Sequence, residues 1–359
     1  MMRRFLLLLL NEVKLLSTTL PIHFIALFQP ALMFSLMAFV LISPTFDINV
    51  ARSGIPEQKY LVTMMEQVGS PVGDAYMRPI QVEWEQGDPI PRGQIVWIDT
   101  SSGKTTVTQT FGLIDSNMVK NFRNRLTSAA LLLWQKSLGS AAIEVEQVPQ
   151  LPRDVSYRVY FGLAMIPLAA FIGASFVGAF LTAQEFEFKT ITEYQLAPVS
   201  WGMILSTRLL RLCITGIISG IILGLFLYLF DRALPSSLLF ALLVLFAMGL
   251  IGACVGTGMA LLLRSTLPAF VTTLTSAFFF WIMGGAFGLP AGFGGAYEAV
   301  SRWMPNTYAV KTLYSLYYGV GEVELGSALV NLFIFASIGC LGVMLIYIRV
   351  MLRRGEGEQ

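Results

Sequence analysis

The sequence predicts an all-α polytopic membrane domain of six transmembrane helices with one inserted α+β domain. Of the 359 residues, 55% are hydrophobic and only 13% are charged, whereas a soluble domain is about 45–50% apolar and about 25% charged. The polar residues are also unevenly distributed, because one long polar insert separates the first apolar segment from the others. These two observations exclude a water-soluble globular protein.

Six segments are long and apolar enough to cross a bilayer, which takes about 20 residues of helix. They are residues 22–42, 160–182, 209–230, 238–263, 267–287 and 328–348. The predicted organisation is an amphipathic helix (1–21), the first transmembrane helix (22–43), the insert (44–157) and the other five transmembrane helices (158–359).

Lysine and arginine in short loops set the orientation of a membrane protein, because cytoplasmic loops carry the excess. With the N-terminus inside, the cytoplasmic segments hold Arg3, Arg4, Lys14, Lys189, Arg208, Arg211, Arg264, Arg349, Arg353 and Arg354. The short outer loops hold only Arg232, Arg302 and Lys311. We therefore expect both termini in the cytoplasm, the insert outside, and residence in the plasma (inner) membrane of a prokaryote.

Residues 1–21 have two interpretations. Arg3 and Arg4 precede a leucine run, as in a signal peptide, but Asn11 and Lys14 interrupt that run and no cleavage site follows. The polar residues fall on roughly one side of a helix, with leucines opposite. This pattern favours an amphipathic helix lying in the membrane interface.

The insert has the alternating and helical patterns of a small α+β domain. We expect helices over 60–68 and 118–133, strands over 80–84 and 143–148, and a hairpin of 94–99 with 105–111. Gly103-Lys104-Thr105 resembles the end of a phosphate-binding loop, but Ile98 stands where that motif needs its first glycine. We therefore expect no nucleotide or other cofactor in this chain.

The sequence lacks the motifs of membrane proteases and lipid hydrolases, so no enzyme activity and no metal site are expected. Its only histidine is His23, at the edge of the first span, and its three cysteines lie in apolar segments. The central parts of the spans hold no ionisable residue, although ion-coupled transport usually needs one. Any transport is therefore expected to draw its energy from another polypeptide.

The loop between the second and third spans, residues 183–208, encodes a short helix. Glu185, Lys189 and Glu193 have the i, i+4 spacing of an ion-pair ladder. Thr190 and Glu193 have the spacing of a capping box, and Pro198 ends the helix.

The same loop carries apolar side chains among its charges, namely Phe186, Phe188, Ile191 and Tyr194. Exposed apolar groups with a charged rim suggest a docking surface. A loop lying on lipid headgroups is the alternative.

This loop resembles that of the permease subunits of type-2 ABC exporters, in which an acidic residue after the second span precedes a charged short helix, Leu and Pro. The matching positions here are Glu185, Glu187, Lys189, Thr190, Glu193, Leu196 and Pro198. The resemblance extends to the amphipathic N-terminal helix, a glycine-rich break after the fifth span and Pro305-Asn306-Thr307-Tyr308 before the last. It covers most of the chain outside the insert.

The resemblance implies that the short helix couples to a separate ABC ATPase, which binds ATP and Mg. The coupling residues would be Glu185, Phe186, Glu187, Phe188, Lys189, Thr190, Glu193, Leu196 and Pro198. It also implies a second copy or a related permease, and an outer re-entrant segment over 284–326. Spans two and five would line the path through Phe171, Phe176, Phe180, Thr272, Thr273, Thr275, Ser276 and Phe279, although ordinary helix packing explains these residues as well.

The expected function is outward transport of a hydrophobic or amphipathic substrate by the permease subunit of an ABC exporter. Membrane lipids are further partners, the insert offers a surface to an extracytoplasmic partner, and the net charge of +2 gives no case for nucleic acid. The alternative is a membrane-anchored binding or assembly protein without transport activity.

Overall fold

The computed structural model describes residues 2–15, 19–40, 46–52, 56–69, 75–88, 94–99, 106–111, 126–132, 157–196, 199–285, 295–319 and 325–355. The chain divides into two compact units. The first is Met1–Val40 together with Tyr157–Gln359, and the second is Leu41–Ser156.

The elements in chain order are α1 (Met2–Leu15), α2 (Leu20–Val40), β1 (Phe46–Ala51), α3 (Pro56–Gln67), β2 (Met77–Val82), β3 (Gln94–Asp99), β4 (Thr106–Phe111), α4 (Tyr157–Glu187), α5 (Ile191–Leu196), α6 (Trp201–Asp231), α7 (Leu238–Leu263), α8 (Thr266–Met283), α9 (Gly295–Ser301), α10 (Pro305–Tyr318) and α11 (Leu325–Gly355). Residues 126–132 are also helical.

The described residues contain six helices that are long and apolar enough to cross a membrane: α2, α4, α6, α7, α8 and α11. The prediction of six spans is therefore confirmed. Their ends differ from the prediction most clearly at α6, which begins at Trp201 rather than at residue 209. Arg208, which we expected at the end of the loop, lies inside α6, as does Arg211, and both are buried.

The core of the first unit is α4, which packs against α2, α6, α7 and α8. Every side chain from residue 161 to residue 179 is buried. Glycines on the neighbouring helices permit this packing. A Cβ atom on Gly256 would lie 2.0 Å from the carbonyl oxygen of Ser175, and one on Gly252 would lie 2.4 Å from that of Phe171. Small residues at such contacts let membrane helices approach closely.

All three cysteines are free and lie in the spans, as their place in apolar segments predicted. Cys213 and Cys254 are buried. The sulfur atoms of Cys254 on α7 and Cys340 on α11 lie 3.6 Å apart. These two helices therefore pack against each other at their cysteines.

Two short helices separate α8 from α11. The predicted helix at the Pro-x-x-Tyr element is confirmed as α10, which has Pro305 in its first turn and ends at Gly319 with a left-handed φ of 66°. Asn306 is buried beneath Gly284, where a Cβ would lie 2.6 Å from the Asn306 Cβ. Residues 286–294 and 320–324 lie outside the described part, and the re-entrant arrangement of 284–326 stays a prediction.

The described residues of the second unit form a four-stranded sheet in the order β2-β1-β3-β4. β1 pairs in parallel with β2 and β3, and β3 pairs antiparallel with β4. The predicted hairpin and the helix α3 are therefore confirmed, and the inserted region is α+β. Its core consists of Ile48, Val50, Leu61, Met64, Met65, Val68, Met77, Val96, Leu126 and Ala129.

Sequence reasoning missed β1, one of the two inner strands of this sheet. Asn49 and Ala51 are buried as well as Ile48 and Val50, so the polar residue in the pattern does not mark a solvated face. The predicted helix over 118–133 is described only at 126–132, where it is helical. The predicted strand over 143–148 lies outside the described residues.

Candidate functional site

The candidate coupling segment joins the end of α4 to the start of α6. Lys189 adopts a left-handed backbone with φ of 60°, which turns the chain between α4 and α5. The Thr192 hydroxyl donates to the carbonyl oxygen of Lys189 at 2.8 Å, and the Glu193 N–H donates to that of Thr190 at 3.0 Å. These bonds hold the first turn of α5.

Two predictions about this turn are wrong. Lys189 forms no ion pair with any described residue, because it lies in the turn rather than on a continuous helix with Glu185 and Glu193. The side chains of Thr190 and Glu193 do not form the reciprocal bonds of a capping box. The Thr192 hydroxyl stabilises the turn instead.

Glu185 joins α4 to α6. Its carboxylate accepts two bonds from the Arg208 guanidinium, from Nη1 at 2.9 Å and from Nη2 at 2.5 Å. The Tyr194 hydroxyl of α5 donates to the same carboxylate at 3.2 Å, and the guanidinium lies 5.3 Å from the centroid of the Tyr194 ring. The Arg208 side chain is only 3% exposed, and a buried charge needs such a paired, bidentate partner. One carboxylate therefore holds three helices together.

Phe186 joins α4 to the end of α7. Its ring is buried, and the Arg264 guanidinium lies 5.7 Å from the ring centroid. Arg264 follows the last residue of α7 in a left-handed conformation, and its N–H donates to the carbonyl oxygen of Ala260. The cation–π contact therefore joins the end of α4 to the end of α7.

Glu187 joins α4 to the start of α8. Its carboxylate accepts from the backbone N–H of Thr266 at 2.7 Å, from the Thr266 hydroxyl at 2.7 Å and from the Ser265 hydroxyl at 3.3 Å. Ser265 is the N-cap residue of α8, yet its own side chain makes no capping bond. Glu187 therefore supplies from another helix the acceptor and the negative charge that a helix N-terminus favours.

The predicted coupling residues thus divide into two groups. Glu185, Phe186 and Glu187, here called the junction, each contact a different helix of the same chain. Phe188, Lys189, Thr190 and Glu193, here called the exposed turn, face outward, and the Phe188 side chain is 70% exposed. Leu196 ends α5, but its side chain and Pro198 lie outside the described residues.

The predicted path residues do not share one surface. Phe171 and Phe176 are buried in α4. The ring centroid of Phe171 lies 5.7 Å from that of Phe280, and the ring centroid of Phe176 lies 4.6 Å from that of Phe270. Phe180 is half-buried, and Thr273 is buried.

The other predicted path residues reach the outer face of α8. Thr275 is exposed, Thr272 and Ser276 are half-buried, and Phe279 is 45% exposed. The hydroxyl of Thr275 donates to the carbonyl oxygen of Val271 at 2.9 Å, within the same helix. Thr272 and Ser276 likewise bond to the preceding turn of α8. The path role of all eight residues stays a prediction.

Sequence reasoning missed the partners of the junction: Arg208, Arg264, Ser265 and Thr266. The sequence did contain a signal for Arg208. An arginine at the start of an apolar helix must be neutralised if it is buried, and Glu185 is an acid at the end of the preceding span. The other partners depend on how α7 and α8 end and begin in space, which residue spacing does not encode.

A comparison with known protein families finds a match. The family model described as ABC-2 family transporter protein matches residues 35–350. The chain belongs to the ABC-2 transporter family. The match spans the insert and reaches from α2 to α11. A comparison with curated proteins finds no match.

Membership confirms the resemblance that the loop and the order of elements predicted. An ABC-2 membrane protein is the permease component of an ABC transporter, and the ATPase of such a transporter is a separate chain. The protein is therefore an integral membrane permease component with six apolar helices.

Proposed function

We propose that this ABC-2 permease exports a hydrophobic or amphipathic substrate, with energy from an ABC ATPase that binds the exposed turn. The observation that carries the proposal is the division of one short segment. Three consecutive residues contact α6, α7 and α8, and the residues that follow at once are exposed.

The exposed turn has the chemistry of a protein-docking surface. Phe188 is a large apolar side chain that is 70% exposed, and Lys189, Thr190 and Glu193 around it are exposed as well. An exposed aromatic group with a charged rim gains most from burial against a partner. We infer that the ATPase covers Phe188 and pairs with the two charges.

The proposed substrate path uses the outer face of α8. Thr275 and Phe279 are exposed there, beside the half-buried Thr272 and Ser276. Hydroxyl and aromatic groups together suit an amphipathic molecule. A second copy of the chain or a related permease would face this surface. We place the exposed turn and both termini in the cytoplasm of a prokaryotic cell, and outward movement is what the resemblance to type-2 ABC exporters implies.

The decisive experiment purifies the permease in mild detergent with its cognate ATPase and measures ATP hydrolysis in liposomes. Phe188→Ala and Glu193→Ala should each lower both recovery of the ATPase and its hydrolysis rate. We expect about a tenfold loss of affinity for Phe188→Ala, the scale of an interface hot spot. Tyr60→Ala is a matched control, because Tyr60 is also an exposed aromatic residue but belongs to the second unit. Equal binding and turnover with a scrambled exposed turn would contradict the proposal.

One observation favours a second candidate, a membrane-anchored binding or assembly protein. The inserted unit has its own buried core around Ile48, Leu61 and Met65, so it has the means to act as a separate binding domain. Deleting residues 44–157 distinguishes the two candidates. Export by the parent chain that persists without the insert supports the transporter, whereas a parent chain that exports nothing but binds an extracytoplasmic partner only when the insert is present supports the second candidate.

A further inference from the structure

We propose that Glu187 is the positioning residue that transmits movement of the exposed turn to α8. The inference rests on the proposed function, since it assumes that an ATPase acts on the exposed turn. Glu187 directly precedes Phe188, whose side chain in that turn is 70% exposed, and the Glu187 carboxylate accepts from the first residue of α8.

The N-terminus of α8 has no cap of its own. Ser265 has extended backbone angles, φ −142° and ψ 139°, and accepts no bond from the helix with its side chain. Its hydroxyl donates to Glu187 instead, at 3.3 Å. The first turn of α8 therefore takes its capping acceptor from α4, and the two helices are joined there by three hydrogen bonds to one charge.

The contact is close in sequence to the surface on which a partner would act. The Phe188 N–H donates to the carbonyl oxygen of Gln184 at 2.8 Å, and the Lys189 N–H donates to that of Phe186 at 3.2 Å. These bonds continue the last turn of α4 into the exposed turn. A force on Phe188 or Lys189 thus acts on Glu187 through one or two peptide units.

Glu185 and Glu187 differ in burial, and this difference indicates different roles. Glu185 forms a largely buried, bidentate ion pair with Arg208, which fixes α4 to α6. Glu187 is exposed, and its bonds to Thr266 and Ser265 are accessible to water. An exposed contact can be released and remade, whereas a buried ion pair cannot separate without leaving a charge unpaired. The helix that Glu187 controls also carries the exposed Thr275 and Phe279.

Two single variants remove this contact from opposite sides. Glu187→Ala removes the acceptor. Thr266→Pro removes both Thr266 donors and leaves a residue that is favoured at the first position of a helix. The extended backbone of Ser265 is the conformation that a residue before proline adopts, so α8 should remain folded.

The measurements are transport and ATP hydrolysis by the reconstituted complex with its cognate ATPase. In both variants the ATPase should still co-purify, while the substrate moved per ATP falls by about tenfold, as expected for lost charge-assisted hydrogen bonds. The double variant should lose no more transport per ATP than either single variant, because the two substitutions remove the same interaction. Glu187→Gln keeps an acceptor oxygen and should retain most of the coupling. Glu83→Ala removes an exposed, paired carboxylate in the second unit and should change nothing.

A second readout separates transmission from a merely structural role. Spin labels at Leu267 on α8 and Leu345 on α11, both exposed, should show an ATP-dependent change of distance in the parent protein and none in Glu187→Ala. Full coupling in Glu187→Ala, or in Thr266→Pro alone, would overturn the inference while the proposed function stands. A parent chain that recruits no ATPase would overturn both.

Discussion

α4 and α8 are both apolar spans, yet they occupy opposite positions in the first unit. Every side chain of α4 from residue 161 to residue 179 is buried, whereas α8 buries only one face, formed by Ala269, Thr273, Ala277 and Trp281. The difference comes from the neighbours. Glycines of α6 and α7 face α4 and let its backbone approach closely, while Val271, Thr275 and Phe279 on the outer face of α8 are exposed. Hydrophobicity selects the helices that enter the membrane, and small residues on adjoining helices select the one that becomes the core.

The largest effect is expected where α4 ends. Replacing Arg208 with Met leaves Glu185 largely buried without its guanidinium, which should cost about 3–5 kcal/mol of unfolding free energy. The measurement is denaturation in mixed detergent micelles. The double variant Arg208→Met with Glu185→Leu should recover most of that loss, because no unpaired charge remains. A single variant as stable as the parent would show that the ion pair does not fix α4.

A smaller loss is expected in the middle of α4. Gly256→Ala should destabilise the first unit by about 1–3 kcal/mol, because the added methyl group would lie 2.0 Å from the Ser175 carbonyl oxygen. Thermal unfolding in detergent would measure it. Gly342→Ala on α11 is the matched control, since nothing lies within 4 Å of its added Cβ. It should be neutral or stabilising by up to about 1 kcal/mol. Equal losses of stability at Gly256 and Gly342 would show that close packing against α4 does not account for the effect.

The smallest change in stability is expected on the outer face of α8. Phe279→Ala should alter the unfolding free energy by less than about 0.5 kcal/mol, since the side chain is 45% exposed. It should instead weaken self-association of the permease, which fluorescence energy transfer between labelled copies in liposomes can follow. Trp281→Ala, on the buried face of the same helix, should lower the unfolding free energy and leave self-association unchanged. A stability loss for Phe279→Ala similar to that for Trp281→Ala would erase the distinction between the two faces.

The sequence alone predicted the spans well because a helix in lipid needs a continuous apolar segment, and such segments are visible in the residues. It did not predict which span is central. That depends on contacts such as Gly252 against Phe171 and Gly256 against Ser175, and a glycine in a list of residues does not show what it faces. The strand β1 was missed for a related reason, because residues on both of its faces are buried, and the strand's own residues do not show which other parts of the chain cover them.

The candidate site was predicted in part. Residue spacing predicted a short helix and an exposed aromatic side chain in this loop, and the structure has both, since α5 forms and Phe188 is exposed. Docking of a partner at Phe188 stays a prediction. Spacing suggested that Glu185 pairs with Lys189, but the left-handed turn at Lys189 removes that neighbour and Arg208 takes its place. The contact of Glu187 with Thr266 joins residues far apart in the chain, so local pattern could not reveal it.

The position of β1 has a consequence for how the inserted unit matures during synthesis. This strand leaves the ribosome first, yet both of its hydrogen-bonding neighbours, Met77–Val82 and Gln94–Asp99, emerge later. Until then, Ile48 and Val50 have no sheet to cover them, and both backbone edges of the strand are open to pairing with other chains. The nascent insert must therefore be shielded from aggregation until its third strand has been made.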